Sequence, residues 1–147
     1  MPPLPQIAFR TATVDDQSAV VTLWRACDLI VPHNRPETDF HRAVTSAQSD
    51  VLVASVSGEV VGSAMVGDDG HRGWIYYLAV HPRCEKQGIG RSLCNKAERW
   101  GHQRGLRKIQ LMIRPANENV RRFYERCDYE ETPRLVMAKW LDKKAAT

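Results

Sequence analysis

One unbroken run, "WIYYLAVHPRCEKQGIGRSL" at residues 74 to 93, constrains the fold of this chain more than any other feature. Trp74 to Val80 is almost wholly apolar, as in a strand that lies inside a sheet with both faces covered. His81-Pro82 ends it, and a loop carrying Gly88 and Gly90 follows. A helix resumes from about Ile89 to Gln103, with Ile89, Leu93, Ala97 and Trp100 on one face and Gly105 as its stop. A strand that ends in a glycine turn and restarts as a helix leaves backbone N–H groups pointing outward, backed by the positive end of the helix dipole. That is an anion site. Gly88 and Gly90 let backbone approach an oxygen-rich ligand, and Arg83, Lys86 and Arg91 add positive charge. A lone G-x-G serves equally as a plain turn that permits tight packing, so the rest of the chain must decide.

The remaining elements alternate. Ile7 to Ala12 reads as a short strand, and Thr13-Val14-Asp15-Asp16 as a capping box opening a helix through Asp28. Val31 to Glu37, with two prolines, reads as a loop, and Thr38 to Gln48 as a second short helix. Val51–Val56 and Glu59–Gly67 are strands joined by a Ser57-Gly58 hairpin signal. Asp68 to Gly73 is turn material, and Lys108 to Ile113 alternates as a strand. Asn117 caps a helix with Val120, Phe123, Tyr124 and Cys127 at helical spacing, and Leu135 to Trp140 reads as a strand closing the sheet.

At 147 residues and 43% apolar content, residues 1 to 147 make one domain with a proper core. No apolar run approaches membrane-spanning length, and "MPPLPQ" has no basic region ahead of an apolar core, so a cytoplasmic protein without a membrane partner is expected. Cys27, Cys84, Cys94 and Cys127 lack C-x-x-C spacing, which leaves free thiols as the expectation and no metal site. The net charge of +4 favours an anionic partner. Nucleic acid is not expected, because no recognised binding arrangement accompanies that charge. A P-loop needs G-K-[ST] where Gly90-Arg91-Ser92 stands, and a dinucleotide fingerprint needs a small residue at Leu93 and an acidic one near Gln110.

The run "YYLAVHPRCEKQGIGRSL", followed by "NENVRRFYERCDY", resembles the acetyl-CoA-binding core of the GCN5-related N-acetyltransferase (GNAT) family. "LWRACDL", the Asn34-Arg35-Pro36 loop with Asp39, and "DGHRG" are further similar to the small bacterial YpeA-type acetyltransferases. The resemblance implies an α/β fold, a mixed and mostly antiparallel sheet of about six or seven strands flanked by about four helices. It implies transfer of an acetyl group from acetyl-CoA, as cosubstrate, to an acceptor primary amine, by direct attack in a ternary complex. It also allows a homodimer. By the same resemblance Glu85, Lys86, Gln87, Gly88, Ile89, Gly90 and Arg91 wrap the coenzyme pyrophosphate. Leu78, Ala79 and Val80 lie along its pantetheine arm, where the strand splays from its neighbour, and Asn117 touches the coenzyme.

Tyr124 matches the family tyrosine near the coenzyme sulfur, where a donor to a thiolate leaving group does general-acid work. A core aromatic whose hydroxyl bonds a backbone carbonyl is the plainer alternative, as capping alone is for Asn117. The base is less marked. The central strand has no carboxylate, which leaves Asp69 and His71 as candidates, with Asp28, Glu37 and Asp39 as contacts for a cationic acceptor. Asp69 beside Gly70 also suits a plain turn former. Trp24 and Trp74 could line the cleft or fill the core, and their spacing favours the core. Three residues depart from the family pattern: Glu85, Lys86 where glycine is common, and Asp128 where glycine usually ends the helix. A carboxylate about 6 Å from a phosphate costs about 3 kcal/mol unscreened at an effective dielectric of 20. Glu85 and the bare strand therefore motivate an alternative, a non-catalytic acyl-CoA-binding or regulatory module of the same fold.

Overall fold

Alternation along the strands divides the core into two layers. In β2 (Ser49–Val56), Val51 and Val53 are buried against α1 (Gln17–Ala26) and α2 (Pro36–Thr45), while Leu52 and Ala54 face the other way, toward α3 (Ile89–Gln103). This computed structural model describes residues 6–142. The start of the "MPPLPQ" stretch, residues 1–5, lies outside them. The other elements are β1 (Ile7–Thr11), β3 (Glu59–Asp68), β4 (Gly73–Val80), β5 (Ile109–Gln110) and α4 (Glu118–Arg126). The sheet has five strands in the order β1-β2-β3-β4-β5. The first four are antiparallel neighbours, and β5 is parallel to β4. This is the expected mixed α/β fold with four α-helices, with five strands in place of six or seven.

Local chemistry sets the helix ends. The Thr13 N–H donates to Asp16 Oδ2 at 2.8 Å, and Arg10 grips the same carboxylate through two nitrogens at 2.7 and 2.8 Å, so the capping box opens on a 3-10 turn before α1 begins. α1 stops at Ala26, where Asp28 takes a left-handed φ of 55° and the Leu29 N–H bonds back to the Trp24 carbonyl at 3.0 Å. Asp128 ends α4 in the same way, with φ 68° and the Tyr129 N–H on the Tyr124 carbonyl at 3.0 Å. Asp128 thus fills the position expected of it. α2 starts two residues earlier than expected because Pro36, assigned above to a loop, sits in its first turn, where a missing N–H is harmless. α3 lies close on β3 because Gly62 has no side chain: a Cβ there would meet Ile89 Cγ2 at 2.9 Å.

Two expected strands are corrected at the C-terminal side. Lys108 to Ile113 pairs only through Ile109 and Gln110, opposite Gly73 and Trp74. Beyond Gln110 the chain diverges from β4, and the backbone of residues 111 to 113 makes no backbone hydrogen bond to any described residue. Leu135 to Trp140 does not close the sheet either. The segment is held at its far end by a His33–Trp140 ring contact at 5.0 Å and an Arg35–Asp142 ion pair at 3.1 Å, which draw it toward the loop before α2 and off β5. An apolar run raises strand propensity without naming a partner strand.

Candidate functional site

β4 is where the sheet opens. On one side it pairs with β3 along most of its length, and on the other it meets β5 only at Gly73 and Trp74. A register shift between Ser63 and Met65 falls opposite Tyr77, whose φ is 50°. A bulky residue at positive φ marks a bulge, and this one reverses the alternation of β4. Ile75 packs in the α3 layer, yet Tyr77, two residues on, packs in the α1 layer. Past the bulge the His81 N–H bonds the Val61 carbonyl at 2.8 Å. Strand parity therefore turns the N–H and C=O of Val80 away from β3, and that carbonyl accepts from the Cys27 thiol at 3.3 Å. Leu78 and Val80 are half-buried, and Ala79 is buried.

The loop after β4 leaves its amides free. From Glu85 through Arg91 no backbone N–H donates to a described acceptor; the first to do so is Ser92, to the Gly88 carbonyl at 3.0 Å. Gly88 is the residue before α3 and takes φ 79°, with open space where a Cβ would be. Gly90 has a different reason: a Cβ there would sit 3.1 Å from the Phe123 ring. Ile89 is buried and anchors the helix, while Glu85, Lys86, Gln87 and Gly88 are exposed. The three nearby cations are not equivalent. Arg83 is paired with Glu59, and Arg91 donates to the Arg126 carbonyl at the end of α4. Lys86, at φ 64°, forms no ion pair with a described residue.

Across the opening stands α4. Asn117 caps it, its Oδ1 accepting from the Val120 N–H at 3.4 Å. Tyr124 is 6% exposed and forms edge contacts with Phe123 and Tyr129 at 5.1 and 5.4 Å. Its hydroxyl bonds no described residue, so the plainer alternative of a tie to a backbone carbonyl is not what the structure shows. No buried side-chain oxygen is left unpaired among the described residues, so this hydroxyl reaches solvent. It lines a groove of about 400 Å³ together with Trp74, Leu111, Ile113 and Tyr129. Burial, and then the neighbouring Cys94 and Cys127, push the phenol well above its ordinary 10. Cys94 is itself pushed up to about 12, chiefly by burial, so it is no thiolate at neutral pH.

The α1 side of β4 carries a polar cluster. The Tyr77 hydroxyl donates to Asp39 Oδ2 at 2.8 Å and accepts from Asn34 Nδ2 at 3.4 Å, and its ring stacks on Trp24 with centroids 3.9 Å apart. Trp24 is fully buried, as expected, and its indole N–H donates to the buried Ser63 Oγ at 3.0 Å. Tyr77 is not among the residues that the sequence marks. Its side chain could have been picked out as the polar aromatic of an otherwise apolar strand, but the bulge that turns it toward Asp39 leaves no mark in the sequence. Glu37 pairs with Arg25 at 3.3 Å, and Asp28 forms the end of α1.

Asp69 holds its own turn. Its carboxylate accepts from the His71 and Arg72 N–H groups at 2.8 and 2.7 Å and from Trp74 Nε1 at 2.8 Å. These donors, the Arg72 amide first, lower its pKa to about 2. A carboxylate so engaged is a weak base. The same bond corrects the reading of Trp74, which is half-buried and lines the groove outside the core. The His71 side chain is exposed beside this turn.

With this geometry, the comparisons agree. Residues 18–129 match the model of the acetyltransferase (GNAT) family. An acetyltransferase of Pectobacterium atrosepticum is 45% identical over 127 residues, covering 86% of this chain and 90% of that protein. Among solved structures, the aminoglycoside N-acetyltransferase AAC(6')-Iy in complex with CoA superposes with a TM-score of 0.84 at 17% identity, over 96% of this chain and 99% of that one. A ribosomal-protein-alanine N-acetyltransferase from Brucella melitensis gives 0.74 at 16% identity, over 92% and 99%. The family match spans the splayed strand, the amide-lined loop and the Tyr124 helix together, and the chain belongs to the acetyltransferase (GNAT) family.

Proposed function

We propose that this protein transfers the acetyl group of acetyl-CoA to a cationic primary amine by direct attack within a ternary complex. The observation that carries the reading is the row of unengaged amides from Glu85 to Arg91 at the start of α3, at the end of a strand whose other edge is open. The loop suits a pyrophosphate: its amides are unengaged at the positive end of the α3 dipole, and the exposed Lys86 forms no ion pair with a described residue. The open side of Leu78 and Val80 offers backbone partners to an extended amide-containing chain such as pantetheine. Asn117 lies at the start of the opposite helix.

Chemistry would take place between Tyr124 and Tyr77. The neutral amine adds to the thioester carbonyl, the surplus proton on its nitrogen passes to His71 or to water, the C–S bond breaks, and the sulfur departs as a thiolate that accepts a hydrogen bond from the Tyr124 hydroxyl and takes its proton from solvent. That phenol is too weak an acid to give up its proton fully to a thiolate of pKa near 8.5, so it stabilises the leaving group as a hydrogen-bond donor that is protonated at every working pH. Asp39, anchored by Tyr77, supplies the negative charge for a cationic acceptor. Aminoglycosides and ribosomal-protein alanine, the acceptors in the names of two structural relatives, both present an amino group. His71 is the candidate base, and Asp69 keeps its turn in shape. A cytoplasmic location fits an intracellular thioester.

The test is calorimetric titration with acetyl-CoA, CoA and ATP, followed by thiol-release assays over a panel of mono- and polyamines. Micromolar binding of both coenzymes, much weaker ATP binding and release of CoA with a polycationic amine are expected. Absence of coenzyme binding would overturn the reading, and binding without turnover across the panel would leave the non-catalytic alternative.

A further inference from the structure

Ser63, in the middle of β3, is the one polar side chain among the described residues that is buried with the core. Burying a hydroxyl is costly unless its hydrogen and its oxygen are both engaged. Here both are. The oxygen accepts from Trp24 Nε1 at 3.0 Å, and the hydroxyl donates to the Tyr77 carbonyl at 3.2 Å. An indole N–H can only donate, so it leaves the single hydroxyl hydrogen of Ser63 to the Tyr77 side. Trp24 then meets Tyr77 a second time, ring on ring, with planes 11° from parallel. Three residues, from α1, β3 and β4, close a circuit of contacts around the bulge. β3 pairs Ser63 with Ala79 and Met65 with Tyr76, which leaves Tyr77 and Leu78 opposite Ala64 alone. A tyrosine keeps a φ of 50° only where its surroundings over-determine it, and Ser63 and Trp24 are those surroundings.

We infer that Ser63 and Trp24 are positioning residues for the acceptor side of the reaction, locking the β4 bulge so that the Tyr77 hydroxyl meets Asp39. The inference rests on the acetyl-transfer reading, in which Asp39 draws in the cationic amine. Both residues are 0% exposed, so neither meets a substrate and each acts through Tyr77. The lock has two points. Stacking on Trp24 holds the Tyr77 ring, and the Ser63 hydroxyl holds its carbonyl. Alanine at position 63 would leave the Trp24 N–H and the Tyr77 carbonyl without these partners, and the reason for the strained backbone would go with them. β4 then has an alternative. Regular alternation from Ile75 would carry Tyr77 into the α3 layer, among residues such as Ile89 and Leu93, and would break its 2.8 Å bond to Asp39. The buried hydroxyl decides between the two arrangements.

The experiment combines NMR with steady-state kinetics on the full chain. In the wild type, nuclear Overhauser contacts should join the Trp24 and Tyr77 rings, and the Trp24 indole N–H should exchange slowly. Ser63→Ala should lose both and show Tyr77 contacts to Ile89 or Leu93 instead. Its KM for the acceptor amine should rise about tenfold, and Tyr77→Phe, which alone raises that KM by a similar factor, should add less than about twofold on top. A serine with a merely structural role would let the two penalties multiply. Trp24→Phe keeps an aromatic ring and removes the N–H, so it tests the same lock where Ser63→Ala does not fold. It should raise KM about threefold and again be non-additive with Tyr77→Phe. Ring contacts unchanged in Ser63→Ala, or penalties that multiply in both double variants, overturn the inference. A wild type that neither binds acetyl-CoA nor releases CoA with any amine overturns the acetyl-transfer reading and the positioning role with it. The ring contacts, which need no substrate, still report whether the lock exists.

Discussion

Replacing Tyr124 by Phe removes one atom, and the structure says what that atom does in the resting protein. The hydroxyl bonds no described residue, and the ring contacts to Phe123 and Tyr129 survive the change. No partner is left unsatisfied, so stability should hold within about 0.5 kcal/mol, or about 2 °C in Tm. The transition state differs, because charge develops on the departing sulfur beside that hydroxyl. A hydrogen bond to a charged group is worth about 1.5–3 kcal/mol, and each 1.36 kcal/mol is tenfold in rate, so kcat should fall about 10- to 150-fold. Coenzyme affinity should stay within about twofold, since the ground-state thioester carries no such charge. Steady-state release of CoA thiol, read beside calorimetric titration and a thermal melt, separates the three quantities. A variant with kcat within twofold of wild type would remove Tyr124 from the chemistry and return it to the core. A large drop in Tm would show that the hydroxyl has a structural partner.

Other substitutions test the remaining parts. Gly88→Val forces a branched residue into φ 79° and should abolish coenzyme binding, whereas Gly90→Val should act through the Phe123 ring and lower stability as well; calorimetry and melts distinguish the two. Asp69→Asn should leave kcat/KM within a few-fold from pH 7 to 9, because a carboxylate with pKa about 2 is a structural acceptor there; a 100-fold loss would make it the base. Lys86→Gly relieves a left-handed lysine and should hold or slightly raise Tm while weakening acetyl-CoA several-fold, most at low salt, by titration at two ionic strengths. The pH profile of kcat/KM should climb as the acceptor amine loses its proton and should not turn down below pH 10. The Tyr124 phenol, raised above its ordinary 10, remains protonated through that range.

Sequence alone carried the anion-ready loop and its helix, because local chemistry determines both. The boundary at Ile89 and the end at Gln103 follow from periodicity and glycine punctuation, and α4 follows from Asn117. Features set by tertiary contact were out of reach. Gly90 read as a ligand-facing glycine, and nothing in the sequence places Phe123 over it. Asp69 read as either base or turn former, and the three donors that engage its carboxylate come together only in the fold. Leu135 to Trp140 has the composition of a strand, but the choice of neighbour depends on where β5 stops and on the His33 and Arg35 contacts, both nonlocal.

Backbone strain bears on the same site from another direction. The described non-glycine residues at positive φ are Asp28, Ser57, Tyr77, Lys86 and Asp128. Helix ends account for Asp28 and Asp128, and the hairpin for Ser57. Tyr77 and Lys86 have no such excuse, since each costs about 1–2 kcal/mol in a conformation that aromatic or long side chains avoid. Both lie on the continuous stretch from the open strand to the amide-lined loop. An unbroken β4 would place Tyr77 on the face of Ile75, in the α3 layer and away from Asp39. The bulge thus does two things with one distorted residue: it sends the Tyr77 hydroxyl to Asp39 on the α2 side, and it sets the parity that turns the Val80 backbone away from β3. The strain at Tyr77 thus couples the Tyr77–Asp39 contact on one face of β4 to the backbone parity at the open end of the same strand.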